Sequence, residues 1–176
     1  MIAPRDRVSP GSLPALTIAS PVGVLTLVAD RDELIAVLWP DDRPGRVVLP
    51  PLRVQPDEPV LREAAAQIDA YFARRLTRFD LPLGFRGTQF QQRVWTALLT
   101  IPYGETRSYA AIAAQIGSPT ASRAVGAANG RNPISIVAPC HRVIGASGRL
   151  TGFAGGLAAK QRLLALESPA PGLPFG

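Results

Sequence analysis

Proline decides where this chain can be helical. Inside a helix it removes a backbone donor and clashes with the preceding turn. Residues 40–57 hold five of the 18 prolines together with many charges. They read as a loop or linker, with 47–49 as a brief edge strand. Pro59 instead stands at a helix start, where a missing N–H costs nothing. After it Leu61, Ala64, Ala65, Ile68, Tyr71, Phe72 and Leu76 recur at helical spacing, and the aromatics of that helix read as core. Ahead of the proline-rich segment, 16–19, 24–29 and 34–39 are short apolar runs joined by polar turns. They predict an antiparallel meander on which the helix packs. Residues 1–13 read as a loose arm.

Past Gly84-Phe85-Arg86-Gly87 the pattern becomes helical. Thr88 is a plausible N-cap, and Phe90, Val94, Trp95, Leu98 and Leu99 mark an amphipathic helix that stops near Pro102. Ser108 is placed to cap a helix over 109–116, and a break at 117–119 precedes another over 120–129. Two short helices joined by a glycine-containing turn predict a helix-turn-helix. The second is unusual: Arg123 is its one long polar side chain, among small residues such as Ala121 and Gly126. Small residues let a backbone approach another surface closely. That surface is either a packed protein core or the narrow minor groove of DNA, with Arg123 as the probe.

The charge is divided unevenly. Residues 1–84 carry ten Arg against eleven carboxylates, a net of −1. Residues 85–176 carry nine Lys and Arg against Glu105 and Glu167 alone, a net of +7. A one-sided basic field is the footprint of a phosphate-binding surface, and equally of a merely soluble basic face. No apolar run approaches a membrane span, and the first residues lack a signal-peptide apolar region.

The basic half holds the only cysteine and the only histidine of 176 residues, adjacent at 140 and 141. This excludes an internal disulfide and leaves a poor metal site; neither a metal nor a cofactor is expected. A thiol beside an imidazole is a nucleophile beside a base. A free thiol points to a reducing, cytoplasmic location. Apolar runs flank the pair, so a short buried strand ending at Pro139 is expected to deliver Cys140 to a pocket. Neighbours on a strand face opposite ways, so the two need a turn or a bridging water to exchange a proton. The five glycines of 145–156 form a flexible or tightly turned loop just after the nucleophile.

Pro139-Cys140-His141-Arg142 resembles the signature of the methylated-DNA–protein-cysteine methyltransferases, or O6-alkylguanine-DNA alkyltransferases. Arg123-Ala124-Val125-Gly126, Asn132-Pro133, and the segments 148–156 and 160–167 match the same family in order. The resemblance implies an α+β protein: an N-terminal antiparallel sheet with one helix (1–84), a mainly helical DNA-binding and alkyl-acceptor domain (85–167), and a tail (168–176). It implies irreversible, single-turnover transfer of the alkyl group of O6-alkylguanine, and of O4-alkylthymine, in duplex DNA to Cys140.

By the same matching, His141 takes the thiol proton through a water and Glu167 holds the imidazole. Asn132 ties the helix-turn-helix to the cysteine segment, and Tyr109 donates a hydrogen bond to the departing guanine. Arg123 fills the gap left by the extruded base. Gln91, Tyr109, Ala110, Ser118, Ala121, Gly126 and Ser147 fall at DNA-contacting positions. Phe153, Ala154 and Gly155 fall in the substrate pocket. Phe153 and Ala154 depart from the tyrosine and hydroxyl-bearing residue that many members carry, which leaves backbone N–H groups to contact the guanine O6. The expected partner is double-stranded DNA, bound through the minor groove by a monomer or cooperatively. Two other readings use the same residues: a non-catalytic DNA-binding module, and a thiol hydrolase that needs no DNA.

Overall fold

The computed structural model describes residues 11–168. Most of the proposed arm and nearly all of the tail therefore lie outside the described residues. Strands β1 (Leu13–Ile18), β2 (Leu25–Asp30) and β3 (Glu33–Leu38) form the antiparallel meander. Arg31 and Asp32 turn the β2–β3 hairpin, both at positive φ. Two such residues in a row match the right-handed twist of the strands they join.

The sheet has a fourth strand, β4 (Leu52–Val54), added parallel to β1, so its order is β3-β2-β1-β4 and the sheet is mixed. The expected edge strand at 47–49 is displaced to β4. Pro50 and Pro51 carry no N–H, so pairing runs instead through Leu13 N–H to Pro51 O (2.9 Å) and Gln55 N–H to Ala15 O (2.9 Å). Helix α1 (Pro59–Phe72) starts on its proline and turns Leu61, Ala64, Ile68 and Tyr71 into the sheet.

The C-terminal part contains α2 (Gln89–Leu98), α3 (Tyr109–Gln115), α4 (Ser122–Gly130) and α5 (Leu157–Leu166). Two-residue strands β5 (Arg107–Ser108) and β6 (Val143–Ile144) pair in parallel. Thr88 and Gln91 close a capping box on α2, and the Ser108 hydroxyl accepts from Ala111 N–H at 3.0 Å to start α3. Helices α3 and α4 are the helix-turn-helix. Trp95 Nε1–H donates to Ala128 O (2.8 Å), fastening α4 to α2. No helix among the described residues is long and apolar enough to cross a membrane.

Two apolar cores meet at the cysteine. One joins Leu27, Leu34, Val37, Leu61, Ile68 and Tyr71 of the sheet layer to Ile134, Ile136, Val137, Ala138 and Leu163. The other joins Val94, Trp95, Leu98, Ile112 and Val125 to Cys140 and Val143. At roughly 1.5–3 kcal/mol per large buried apolar side chain, the first core holds the segment leading to Cys140 and the second holds Cys140 itself.

Candidate active site

The expected strand before Cys140 is not formed. Residues 134–138 make a compact turn instead: Val137 N–H bonds Ser135 O (2.9 Å) and Ala138 N–H bonds Ile134 O (2.9 Å). Ile136 sits at φ 74°, in the left-handed region. For a β-branched residue that costs of order 1–3 kcal/mol. Burial of its side chain and the Asn132 side chain maintain it. Asn132 Nδ2–H donates to Ala138 O (2.8 Å), and Oδ1 accepts from Ile134 N–H (3.1 Å). Its own N–H bonds Asn129 O (3.2 Å) at the end of α4. Cys140 then opens a short 3-10 turn, Cys140–Arg142.

That turn places His141 and Arg142 on Glu167, the residue that ends α5. His141 is fully buried, and its Nε2 lies 2.8 Å from Glu167 Oε1. Arg142 grips both oxygens, Nε to Oε2 and Nη2 to Oε1, each at 2.8 Å. Tyr71 Oη donates to Oε1 at 2.7 Å. Burial alone would raise the Glu167 carboxyl, but the hydrogen bonds from His141 and Arg142 take it from the ordinary 4.5 down to about 2. Burial lowers His141 below its ordinary 6.5, against the pull of Glu167. A neutral imidazole beside a carboxylate carries its proton on Nε2. His141 Nδ1, buried and without a protein partner among the described residues, is then a bare acceptor.

Burial likewise raises the Cys140 thiol, while Asn132, Arg46 and Lys160 pull it back. At neutral pH Cys140 is therefore a thiol, which would have to lose its proton to act as a nucleophile. Lys160 is buried and donates to Val143 O (2.7 Å) and Thr151 O (3.3 Å), which ties β6 to the glycine-rich loop.

These shifts fix an acid limit. The Glu167 contribution is present above its unfolded value of 4.5 and is lost as pH falls towards about 2. His141 acts in the same sense, since a lowered folded value favours the unfolded, protonated form below 6.5. Glu167 alone should account for about 3 kcal/mol of acid-labile stability. Urea titrations from pH 7 to 2 should show a shallower pH slope in Glu167→Gln than in the native chain, from a lower starting stability.

A cleft of about 600 Å³ is lined among others by Arg46, Tyr109, Gly126, Thr151, Phe153 and Ala154, and the expected delivery of Cys140 to a pocket is not met, since Cys140 is not among its walls. Tyr109 and Phe153 also border the core that contains Cys140, which is itself 3% exposed. The Tyr109 hydroxyl bonds that of Thr151. Gly155 lies under the Trp39 indole, where a Cβ would stand 2.6 Å from the ring, and Trp39 meets Phe153 edge-on at 5.4 Å. Arg123, Ala110 and Ser147 are exposed, and Ala121, Gly126 and Ser118 half-exposed. Gln91 is half-exposed, with its side-chain oxygen taken by the Thr88 N–H (3.0 Å).

Residues 89–169 match the 6-O-methylguanine DNA methyltransferase DNA-binding domain, and residues 16–85 the ribonuclease-like domain of the same proteins. The chain belongs to the 6-O-methylguanine DNA methyltransferase family. The methylated-DNA–protein-cysteine methyltransferase of Mycobacterium tuberculosis is 56% identical over 153 residues, 86% of this chain and 90% of that one. That of Methanosarcina acetivorans is 51% identical over 148 residues, 84% and 94% of the two chains. The crystal structure of Mycobacterium tuberculosis OGT in complex with DNA superposes with a TM-score of 0.78 at 52% identity, covering 89% of this chain and 96% of that one. Members of the methyltransferase family repair alkylated DNA by taking the alkyl group onto a cysteine of their own.

Four side chains that the sequence reading gave no role belong to this arrangement: Tyr71, Arg142, Arg46 and Lys160. Arg142 had a legible signal, a cation inside an apolar run. Tyr71 is core as expected, but its hydroxyl is also part of the site. Arg46, in the proline-rich segment, pairs with Asp42 and donates from Nη1 to Asn132 O at 2.5 Å.

Proposed function

We propose that this chain binds duplex DNA and transfers the alkyl group of O6-alkylguanine, and of O4-alkylthymine, to Cys140 in one displacement. The observation that carries the reading is the buried Cys140-His141-Glu167 arrangement, with the imidazole proton committed to Glu167 and Nδ1 free to accept. The thiol proton passes to His141 through a water, and Glu167 stabilises the imidazolium. A sulfur–carbon bond forms as the carbon–O6 bond breaks. The electron pair leaves with the base, whose charge Tyr109 stabilises by donating a hydrogen bond until the base takes up a proton from solvent.

Helix α4 enters the minor groove on its exposed small face. Arg123 fills the stack as the damaged base swings into the cleft. Gln91, Tyr109, Ala110, Ser118, Ala121, Gly126 and Ser147 contact the DNA. Phe153, Ala154 and Gly155 wall the alkyl pocket, and Asn132 holds the turn that aims Cys140. A basic half of net charge +7 supports the phosphate contacts.

A thioether has no good leaving group, so each molecule acts once. Mixing with a duplex that carries O6-methylguanine should add one methyl per chain, located at Cys140 by peptide mass spectrometry. Methylation elsewhere, or many turnovers per molecule, would contradict the proposal.

A further inference from the structure

The catalytic carboxylate is shared across the two halves of the molecule. Glu167 Oε1 receives three donors: His141 Nε2, Arg142 Nη2 and the hydroxyl of Tyr71. The first two stand beside Cys140, whereas Tyr71 comes from α1 in the N-terminal layer, 96 residues away in sequence. It is fully buried, edge-on to Tyr103 at 6.2 Å, and Tyr103 in turn donates to Leu166 O beside Glu167. Donors on one oxygen compete for its negative charge. A phenol on Oε1 therefore weakens the hold of Glu167 on the imidazole N–H.

We infer that Tyr71 is a positioning residue through which the N-terminal layer sets the basicity of His141. By occupying Oε1 it adds to the burial that keeps the imidazole neutral at rest, with Nδ1 ready to accept the Cys140 proton. The other charged or titratable groups facing the His141–Glu167 pair are Arg142 and Lys160, which disfavour a protonated imidazole, and Tyr103. Tyr71→Phe leaves each of these groups in the chain, although Arg142 and Tyr103 also interact with the Tyr71 hydroxyl. Tyr71 itself is held protonated, pushed up by burial and then by the Glu167 charge, so it acts as a donor throughout. The inference rests on the proposed role of His141 only for its kinetic consequence.

The chain has a single histidine, so protein labelled with 15N-histidine has a single imidazole to follow. In Tyr71→Phe the titration midpoint of that imidazole should rise by about half a pH unit or more, as the carboxylate recovers charge for His141. Site-specific 3-fluorotyrosine at position 71, a stronger donor that retains the packing, should move the midpoint down. If the native imidazole stays neutral to the onset of acid unfolding, Tyr71→Phe should begin to titrate above that limit. The acid limb of the methyl-transfer rate should shift with the midpoint, slowing the reaction by up to about threefold at a fixed pH on that limb for a half-unit rise. A midpoint that both replacements leave in place overturns the inference. Should Cys140 take up no methyl at all, the functional reading fails, but the imidazole titration still decides the role of Tyr71.

Discussion

Cys140→Ser should take up no methyl from O6-methylguanine duplex, a loss of roughly a thousandfold or more in rate, while binding the same duplex as the native chain does. Serine fits where the thiol is, because Asn132 and the turn over 134–138 place residue 140 through backbone contacts that do not involve its side chain. What changes is the atom. A hydroxyl gives up its proton far less readily than a thiol, and its oxygen is a weaker nucleophile towards a saturated carbon. His141 cannot compensate, because burial already makes it reluctant to hold a proton. Single-turnover transfer assays at several pH values, with binding measured in parallel, separate chemistry from recognition. Retained transfer would mean that a residue other than Cys140 accepts the methyl group. Loss of both properties would mean that position 140 supports the fold and not the chemistry.

Legibility in the sequence followed the range of the forces involved. The helix starts at Thr88 and Ser108 and the start of α1 on Pro59 are local, and all were readable from a few neighbouring residues. The segment 134–138 was not. Ile134, Ile136 and Val137 have the composition of a strand, and only tertiary contacts hold Ile136 at positive φ: the Asn132 side chain and the core that buries Ile134, Ile136, Val137 and Ala138. The parallel pair β5–β6 is two residues long, too short for any periodicity to show. The edge strand lies at Leu52–Val54 and not at 47–49 because Pro50 and Pro51 have no N–H to donate, a constraint that hydrophobicity does not carry. In the site, the adjacent Cys140 and His141 announce themselves. Of the other two partners of Glu167, Arg142 directly follows that pair, whereas Tyr71 comes from α1, and no spacing rule links it to position 167.

Arg142→Ala should be the most destabilising single change at this centre, by about 3–5 kcal/mol at pH 7. The guanidinium is 6% exposed, makes both charged contacts to Glu167, donates to Ile101 O at 2.6 Å and lies 5.8 Å from the centre of the Tyr103 ring. Removing it leaves a buried carboxylate with only His141 and Tyr71, one of them a neutral imidazole. Two escapes exist: the carboxyl takes a proton, or His141 does. Either one undoes the division of protons on which the base function depends. Lysine should not substitute, because a single ammonium cannot span both carboxylate oxygens. The cause can be separated from simple loss of packing. Adding Glu167→Gln to Arg142→Ala removes the stranded charge, so the double variant should be less destabilised than the sum of the singles, by more than about 1 kcal/mol. Strict additivity in urea unfolding would mean that the cost lies in the cavity left by the arginine stem, and that the Glu167–Arg142 pair contributes packing without electrostatic support for the triad.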